Sequence, residues 1–135
     1  MKNVLATIIG LIVASITVHI FEAVIGHNLF TFPEGAELSN TEWIKNNMDK
    51  IPMGSKICVV FAHFAGIITG MFVAAKISKQ SVIPSHITGG LMVLATFVTI
   101  VMQPKELWFS ISDGVFAILG FLIGKVLAQK QITDF

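Results

Sequence analysis

Four ionisable residues stand inside otherwise apolar stretches: His19, Glu22, His63 and Asp113. Charged groups are rare in hydrocarbon because they lose their hydration there, so each needs a partner, a water-filled cavity or a functional reason for its position. His19 and Glu22 are three residues apart, which puts their side chains on one face of a helix and within reach of each other. That spacing serves a hydrogen bond, a proton relay or a pair of metal ligands. A carboxylate such as Glu22 or Asp113 can take up and release a proton while a substrate or ion moves, with the histidines as relays or counter-charges. The plainer alternative is a set of interhelical hydrogen bonds that fix the register of the helices, each contributing about 1 kcal/mol. As a metal site the pattern is weak. A helical zinc or di-iron centre would show HExxH or a duplicated ExxH, and neither occurs, so His19, Glu22 and His63 would need Asp113 from another helix. A bis-histidine haem on His19 and His63 rests on those two residues alone.

The elements that must position these groups follow from composition. The chain has 135 residues, of which 54% are hydrophobic and 13% charged, and its mean hydropathy is +0.81. A soluble unit of this size could not cover its surface with so few polar side chains, so the bilayer is expected to be its solvent. Crossing roughly 30 Å of hydrocarbon takes about 20 apolar residues in a helix. Four stretches qualify, at 3–26, 54–78, 84–103 and 106–129. The expectation is one all-α domain over residues 1–135, a polytopic membrane protein with four helices in an antiparallel bundle. At about 1.5 Å of rise per residue, Glu22 lies about 6 Å below the outer boundary, His19 and Asp113 about 10 Å, and His63 about 14 Å.

The connection from His27 to Met53 opens on the turn signal Phe32-Pro33-Glu34-Gly35. Ser39-Asn40-Thr41-Glu42 then fits a capping box, and Ile44, Met48 and Ile51 recur at helical spacing before Pro52. This predicts a short interfacial helix between the first two spans. Small residues supply the packing faces, because helices in lipid gain no hydrophobic energy on association. Ala62, Gly66, Gly70 and Ala74 recur every four residues in the second span, Ala6, Gly10 and Ala14 in the first, and Gly120, Gly124 and Ala128 in the fourth. With the N-terminus in the cytoplasm, Lys2, Lys76, Lys79, Lys125 and Lys130 lie inside and Lys45, Lys50, Lys56 and Lys105 outside. That bias favours both termini inside. Of the acids only Asp134 joins the inner side. The apolar run after Lys2 outlasts a signal-peptide core and is expected to stay as an uncleaved helix.

Other features exclude more than they assign. All nine basic residues are lysines and no basic run exists, which argues against nucleic acid as a partner. The single cysteine, Cys58, rules out an intramolecular disulfide and reads as a small apolar side chain. His27 and His86 fall at helix ends and are expected to be solvated; Trp43 and Trp108 read as interfacial anchors. There is no phosphate loop and no nucleophile elbow.

Glu22-Ala-Val-Ile-Gly26-His27 followed by Phe30 and Pro33, Ile51-Pro52 leading into Ala62-His63-Phe64-Ala65-Gly66, and Pro104-Lys105-Glu106-Leu107-Trp108-Phe109 leading to Asp113 carry a resemblance. Over most of its length the chain resembles a widespread group of small bacterial four-helix inner-membrane proteins. It departs at Thr31-Phe32, where that group tends to have further prolines, and at Lys105-Glu106, where a His-Pro pair is common. The resemblance implies the fold and the bacterial inner membrane and supplies no reaction. Small multidrug-resistance transporters are similar in architecture, with four short helices and a membrane-embedded Glu in the first, but they lack the long first connection. The favoured expectation is a small proton-linked transporter or channel-like oligomer built on Glu22, His19, His63 and Asp113. The alternatives are an accessory subunit of a larger membrane complex and, behind it, a metal or haem protein.

Overall fold

The computed structural model describes residues 1–103 and 106–133, and every regular element among them is helical. In chain order these are α1 (Lys2–Leu29), α2 (Thr41–Asn46), a 3-10 turn at Met48–Lys50, α3 (Met53–Ser78), α4 (Ile83–Met102) and α5 (Leu107–Thr133). α1, α3, α4 and α5 are long and apolar enough to cross a membrane, the arrangement of a multi-pass membrane protein. α1 and α5 run past the expected ends at 26 and 129. The turn expected at Gln103-Pro104-Lys105, with the charges of Lys105 and Asp134, lies largely outside the described residues.

The molecule is built around α3. In its most apolar stretch 44% of residues are buried, against 17%, 22% and 33% in α1, α4 and α5. Outward faces carry Ile8, Ile12, Leu94, Phe97, Ile118 and Leu122, all exposed, as expected where lipid rather than water is the surrounding medium. Contacts between α1 and α3 run in opposite chain order. Gly26 lies beside Cys58, Ala14 beside Gly66, Gly10 beside Gly70 and Ala74, and Asn3 beside Ser78. Between α3 and α5 they run in the same order, from Lys56 with Glu106 through His63 with Asp113 to Met71 with Gly124.

Close approach explains the small residues. A Cβ on Gly70 would stand 2.7 Å from the Ala14 Cβ and 2.8 Å from the Gly10 carbonyl oxygen, and one on Gly66 would stand 2.6 Å from a Val18 methyl. Ala62 and Ala74 are fully buried on the same helix. Across the molecule, a Cβ on Gly120 would meet the Phe64 carbonyl oxygen at 3.1 Å, and one on Gly124 the Met71 sulfur at 2.6 Å. Thr17 and Thr69 share a hydroxyl hydrogen bond of 3.1 Å between α1 and α3.

Two local features depart from a simple reading of the sequence. First, α1 is not regular throughout: from Ile20 to Gly26 its backbone widens into a π-helix, in which each N–H reaches the carbonyl five residues back. At its end a Cβ on Gly26 would stand 3.2 Å from the Phe21 carbonyl oxygen, a tight contact that the glycine avoids. Second, α2 is capped by Asn40 rather than Ser39. The Asn40 carboxamide oxygen accepts from the Glu42 and Trp43 N–H groups at 3.0 and 3.2 Å, among the strongest capping arrangements. The connection before it makes a turn in which Ala36 N–H donates to Pro33 O, with Gly35 at φ 77°, a value that suits glycine. Phe30 occupies the space a side chain on Gly54 would need. Met48 packs with Val60 and Phe109, flanked by Ile44, Ile51 and Val59, so the connection folds back over the ends of α3 and α5.

Gly70→Ala is expected to lower stability by about 1–3 kcal/mol because backbone must move to admit the methyl. Gly90→Ala, where nothing lies within 4 Å of the new atom, is expected to leave it unchanged or raised. Thermal unfolding midpoints in mild detergent check the pair; equal losses at both positions would refute the close contact.

Candidate functional site

On α3, Lys56 and His63 are two helical turns apart and share a face; Glu106, immediately before α5, and Asp113 on it repeat the same interval. Because α3 and α5 run with the same contact order, the two intervals align into two rungs. In the inner rung His63 Nδ1 is 2.6 Å from Asp113 Oδ1, with Asp113 fully buried. With Asp113 ionised its oxygens only accept, so the proton is on Nδ1 and the short bond is charge-assisted. The other ring nitrogen, Nε2, then faces Glu22 Oε1 of α1 at 3.6 Å. That is too long for a hydrogen bond and close enough for an ion pair. The imidazole thus stands between a buried carboxylate and a partly exposed one.

The outer rung closes the same end of the molecule. Lys56 is only 4% exposed, and its Nζ donates to Glu106 Oε1 at 2.9 Å. Trp108 Nε1 donates to the second Glu106 oxygen. The hydrogen bond from Lys56, seconded by that from Trp108, holds the Glu106 carboxyl below its ordinary value.

A cleft of about 420 Å³ runs inward from this end, bounded by α1, α3, the end of α4 and the connection. Glu22, His27, Ser55, Lys56, His63 and Gln103 supply its polar wall. A smaller cleft of about 290 Å³ between α1 and α4 also reaches Glu22 and His63. His19 is exposed at the rim of that smaller cleft. Glu22, His63 and Asp113 are therefore brought into one chain of contacts, while His19 borders it. The widened turn is what presents Glu22 this way. In a π-helix each residue turns through a smaller angle than in an α-helix, so the face carrying Glu22 is rotated relative to a regular continuation of α1.

Elsewhere the placements differ. His27 is exposed and sets its ring edge-on to Phe32 at 5.5 Å. His86 does not take the solvated position expected of it. It is half-buried beside Phe121, and its Nε2 is buried with no hydrogen-bond partner among the described residues. The reason is that α4 packs its first turns against the other helices, with Pro84 and Ser85 fully buried. Cys58 is half-buried. Among the described residues no three of His, Cys, Asp and Glu are grouped as ligands of one ion, and both His63 nitrogens already face carboxylates.

Sequence reasoning assigned Lys56 to the outer surface and did not pair it. The signal was there, because two bases stand seven residues apart in one span and two acids seven residues apart in another. Chemically the arrangement places one imidazole between two carboxylates, hydrogen-bonded to Asp113 and within ion-pair distance of Glu22.

Asp113→Leu is expected to cost about 3 kcal/mol or more, because it leaves His63 buried without its partner. The double variant His63→Leu with Asp113→Leu is expected to recover most of that loss, as read by the same unfolding midpoints. For Glu106 the sign follows from its lowered folded value. The contact contributes its full stability above the unfolded value near 4.5 and loses it as pH falls through the folded value below 4.5. The midpoint of the native chain should therefore fall more steeply below that pH than the midpoint of Glu106→Gln; parallel curves would contradict the contact. No family model, curated protein or solved structure matches the chain, and function has to be argued from this geometry.

Proposed function

We propose that the protein is a small proton-linked transporter or channel-like oligomer in which Glu22 is the exchangeable carboxylate. The single observation that carries this is the position of the His63 ring, held by buried Asp113 at 2.6 Å and presenting its other nitrogen to Glu22 at 3.6 Å inside a cleft. With the imidazole protonated and both carboxylates ionised, the cluster has one net negative charge. One added proton or one bound cation neutralises it, and such alternation is the basis of coupled exchange. Asp113 would stay ionised and orient the ring, as an orienting carboxylate does for a catalytic histidine. His63 would relay the proton, and Lys56 with Glu106 would hold the mouth together.

The surroundings proposed for this activity are a bacterial inner membrane, an antiparallel bundle and both termini in the cytoplasm. The opposite contact order of α1 and α3 supports the antiparallel arrangement, and the lysine distribution supports the orientation. α2 would lie at the outer interface, with Trp43 at the water boundary and Ile44, Met48 and Ile51 turned toward Val59, Val60 and Phe109.

In proteoliposomes with an imposed proton gradient, the native protein is expected to move protons together with a solute. Glu22→Gln is expected to reduce that flux about 100-fold or more, as loss of an essential proton-transfer group does, with the unfolding midpoint kept. Full flux in Glu22→Gln would overturn the proposal. Absence of flux in the native protein, with a second membrane protein co-purifying in fixed ratio, would favour an accessory subunit instead.

A further inference from the structure

Charge in this molecule is divided between its two ends. Where α1 and α4 begin and α3 and α5 finish stand Lys2, Lys76, Lys79, Lys125 and Lys130, all exposed, and no acidic residue among the described ones stands with them. The described acids lie in the π-turn of α1, in the long connection, just before α5 and in its second turn. Asp134 falls outside the described residues. Three contacts hold the lysine-bearing segments to one end. Ser78 Oγ donates to Asn3 Oδ1 at 3.4 Å and joins the last residue of α3 to the start of α1. A Cβ on Gly124 would stand 2.6 Å from the Met71 sulfur, which ties α5 to α3 one residue before Lys125. The His86 and Phe121 rings, with centroids 6.2 Å apart, tie the first turn of α4 to α5.

These lysines are used differently from Lys56, which is buried and donates to Glu106 across the opposite end. Lys2, Lys76 and Lys125 pair with no acidic residue among the described ones. The Lys76 ammonium instead stands over the Phe72 ring, 5.9 Å from its centroid. At Lys79 the chain turns through φ 63°, a conformation that favours glycine, so the backbone alone does not account for a lysine there. Depth also fits. α3 and α5 have 26 and 27 residues, about 39 and 40 Å at the rise of an α-helix, against roughly 30 Å of hydrocarbon. Lys76, Lys79 and Lys130 therefore stand at the level of the lipid headgroups, and Lys125 reaches it along its flexible stem.

From this we infer that the basic end is a binding surface for anionic phospholipid, with headgroup phosphates bridging the lysines of α1, α3 and α5. The partner is lipid because its phosphates already lie at that depth at high local concentration, whereas a soluble anion would have to come from dilute solution. Attraction to an anionic bilayer surface is worth about fivefold in binding for each lysine close to it. The surface shares no residue with the histidine and carboxylate cluster, so it stands or falls apart from proton exchange.

The test reconstitutes the full chain in phosphatidylcholine vesicles holding a trace of spin-labelled lipid, and electron spin resonance reads the fraction immobilised on the protein. The label is on the acyl chain, and the labelled lipid is phosphatidylglycerol or phosphatidylcholine. At low salt the native protein is expected to immobilise phosphatidylglycerol about tenfold or more in preference to phosphatidylcholine. Replacing Lys2, Lys76 and Lys125 together by Gln is expected to cut that preference about fivefold or more, with the unfolding midpoint kept because all three are exposed. Lys45→Gln with Lys50→Gln, at the opposite end, is expected to leave it unchanged. Should the triple variant not fold, Lys76→Arg, which keeps the charge, is expected to hold the preference and Lys76→Gln to lower it about twofold or more. Equal immobilisation of the two lipids by the native protein, or an unchanged preference in the variants that remove charge from the basic end, overturns the inference. So does a loss of the same size in the Lys45 and Lys50 variant. Excess soluble glycerophosphate is expected to leave the preference in place; displacement of the labelled lipid would make this a site for free anions and overturn the lipid assignment.

Discussion

A carboxylate with no exposed surface, placed among apolar helices, must be satisfied by the protein itself, and Asp113 is satisfied by His63 at 2.6 Å. In hydrocarbon there is no water to replace that partner, and an unpaired charge is far more costly than the pair. The register of α3 against α5 depends on it. The same residue offset that joins His63 to Asp113 joins Lys56 to Glu106, and places Ile67 with Ala117 in the adjoining apolar cluster. A slip of one residue would rotate α5 by about 100° and break both rungs together. Apolar packing alone gives no such discrimination in lipid, because a slipped leucine finds an equally apolar neighbour.

α1 is held to α3 by a different device, and the contrast bears on function. Gly10, Ala14, Gly66 and Gly70 bring the two backbones together over one half of the molecule. Between Val18 and Gly26 the small-residue contact is interrupted, the backbone widens into its π-turn, and Glu22 borders a cleft. Rigid close packing on one side and a loosened helix on the other places a partly exposed carboxylate beside a fixed imidazole. A polar group meant only to glue helices would gain from burial like that of Asp113. Glu22 instead keeps about a third of its side chain exposed, 35%.

Much of this was legible in the sequence and some was not. The apolar runs marked four long helices, since an α-helix that satisfies its own backbone is the simplest solution in lipid. Intramembrane ionisable residues pointed to Glu22, His63 and Asp113, because nothing else in hydrocarbon explains them. His19 looked equivalent to His63 by that criterion, and only the fold separates a residue at the rim of a cleft from one between two acids. The π-turn left no pattern to read, as its residues Ile20–Gly26 are those of an ordinary apolar helix. The burial of His86 and the pairing of Lys56 depend on contacts distant in the chain. Of these, only the matched seven-residue spacing of bases and acids was written in the sequence.

The most direct test is the state of the two His63 ring nitrogens, read by nitrogen NMR of the histidine-labelled protein in lipid across the pH range. The account predicts that Nδ1 is the nitrogen that carries the hydrogen bonded to Asp113, that Asp113→Asn alters its signal, and that Glu22→Gln alters the signal of Nε2. A ring carrying its neutral-form proton on Nε2, or one indifferent to Asp113→Asn and Glu22→Gln, would contradict it.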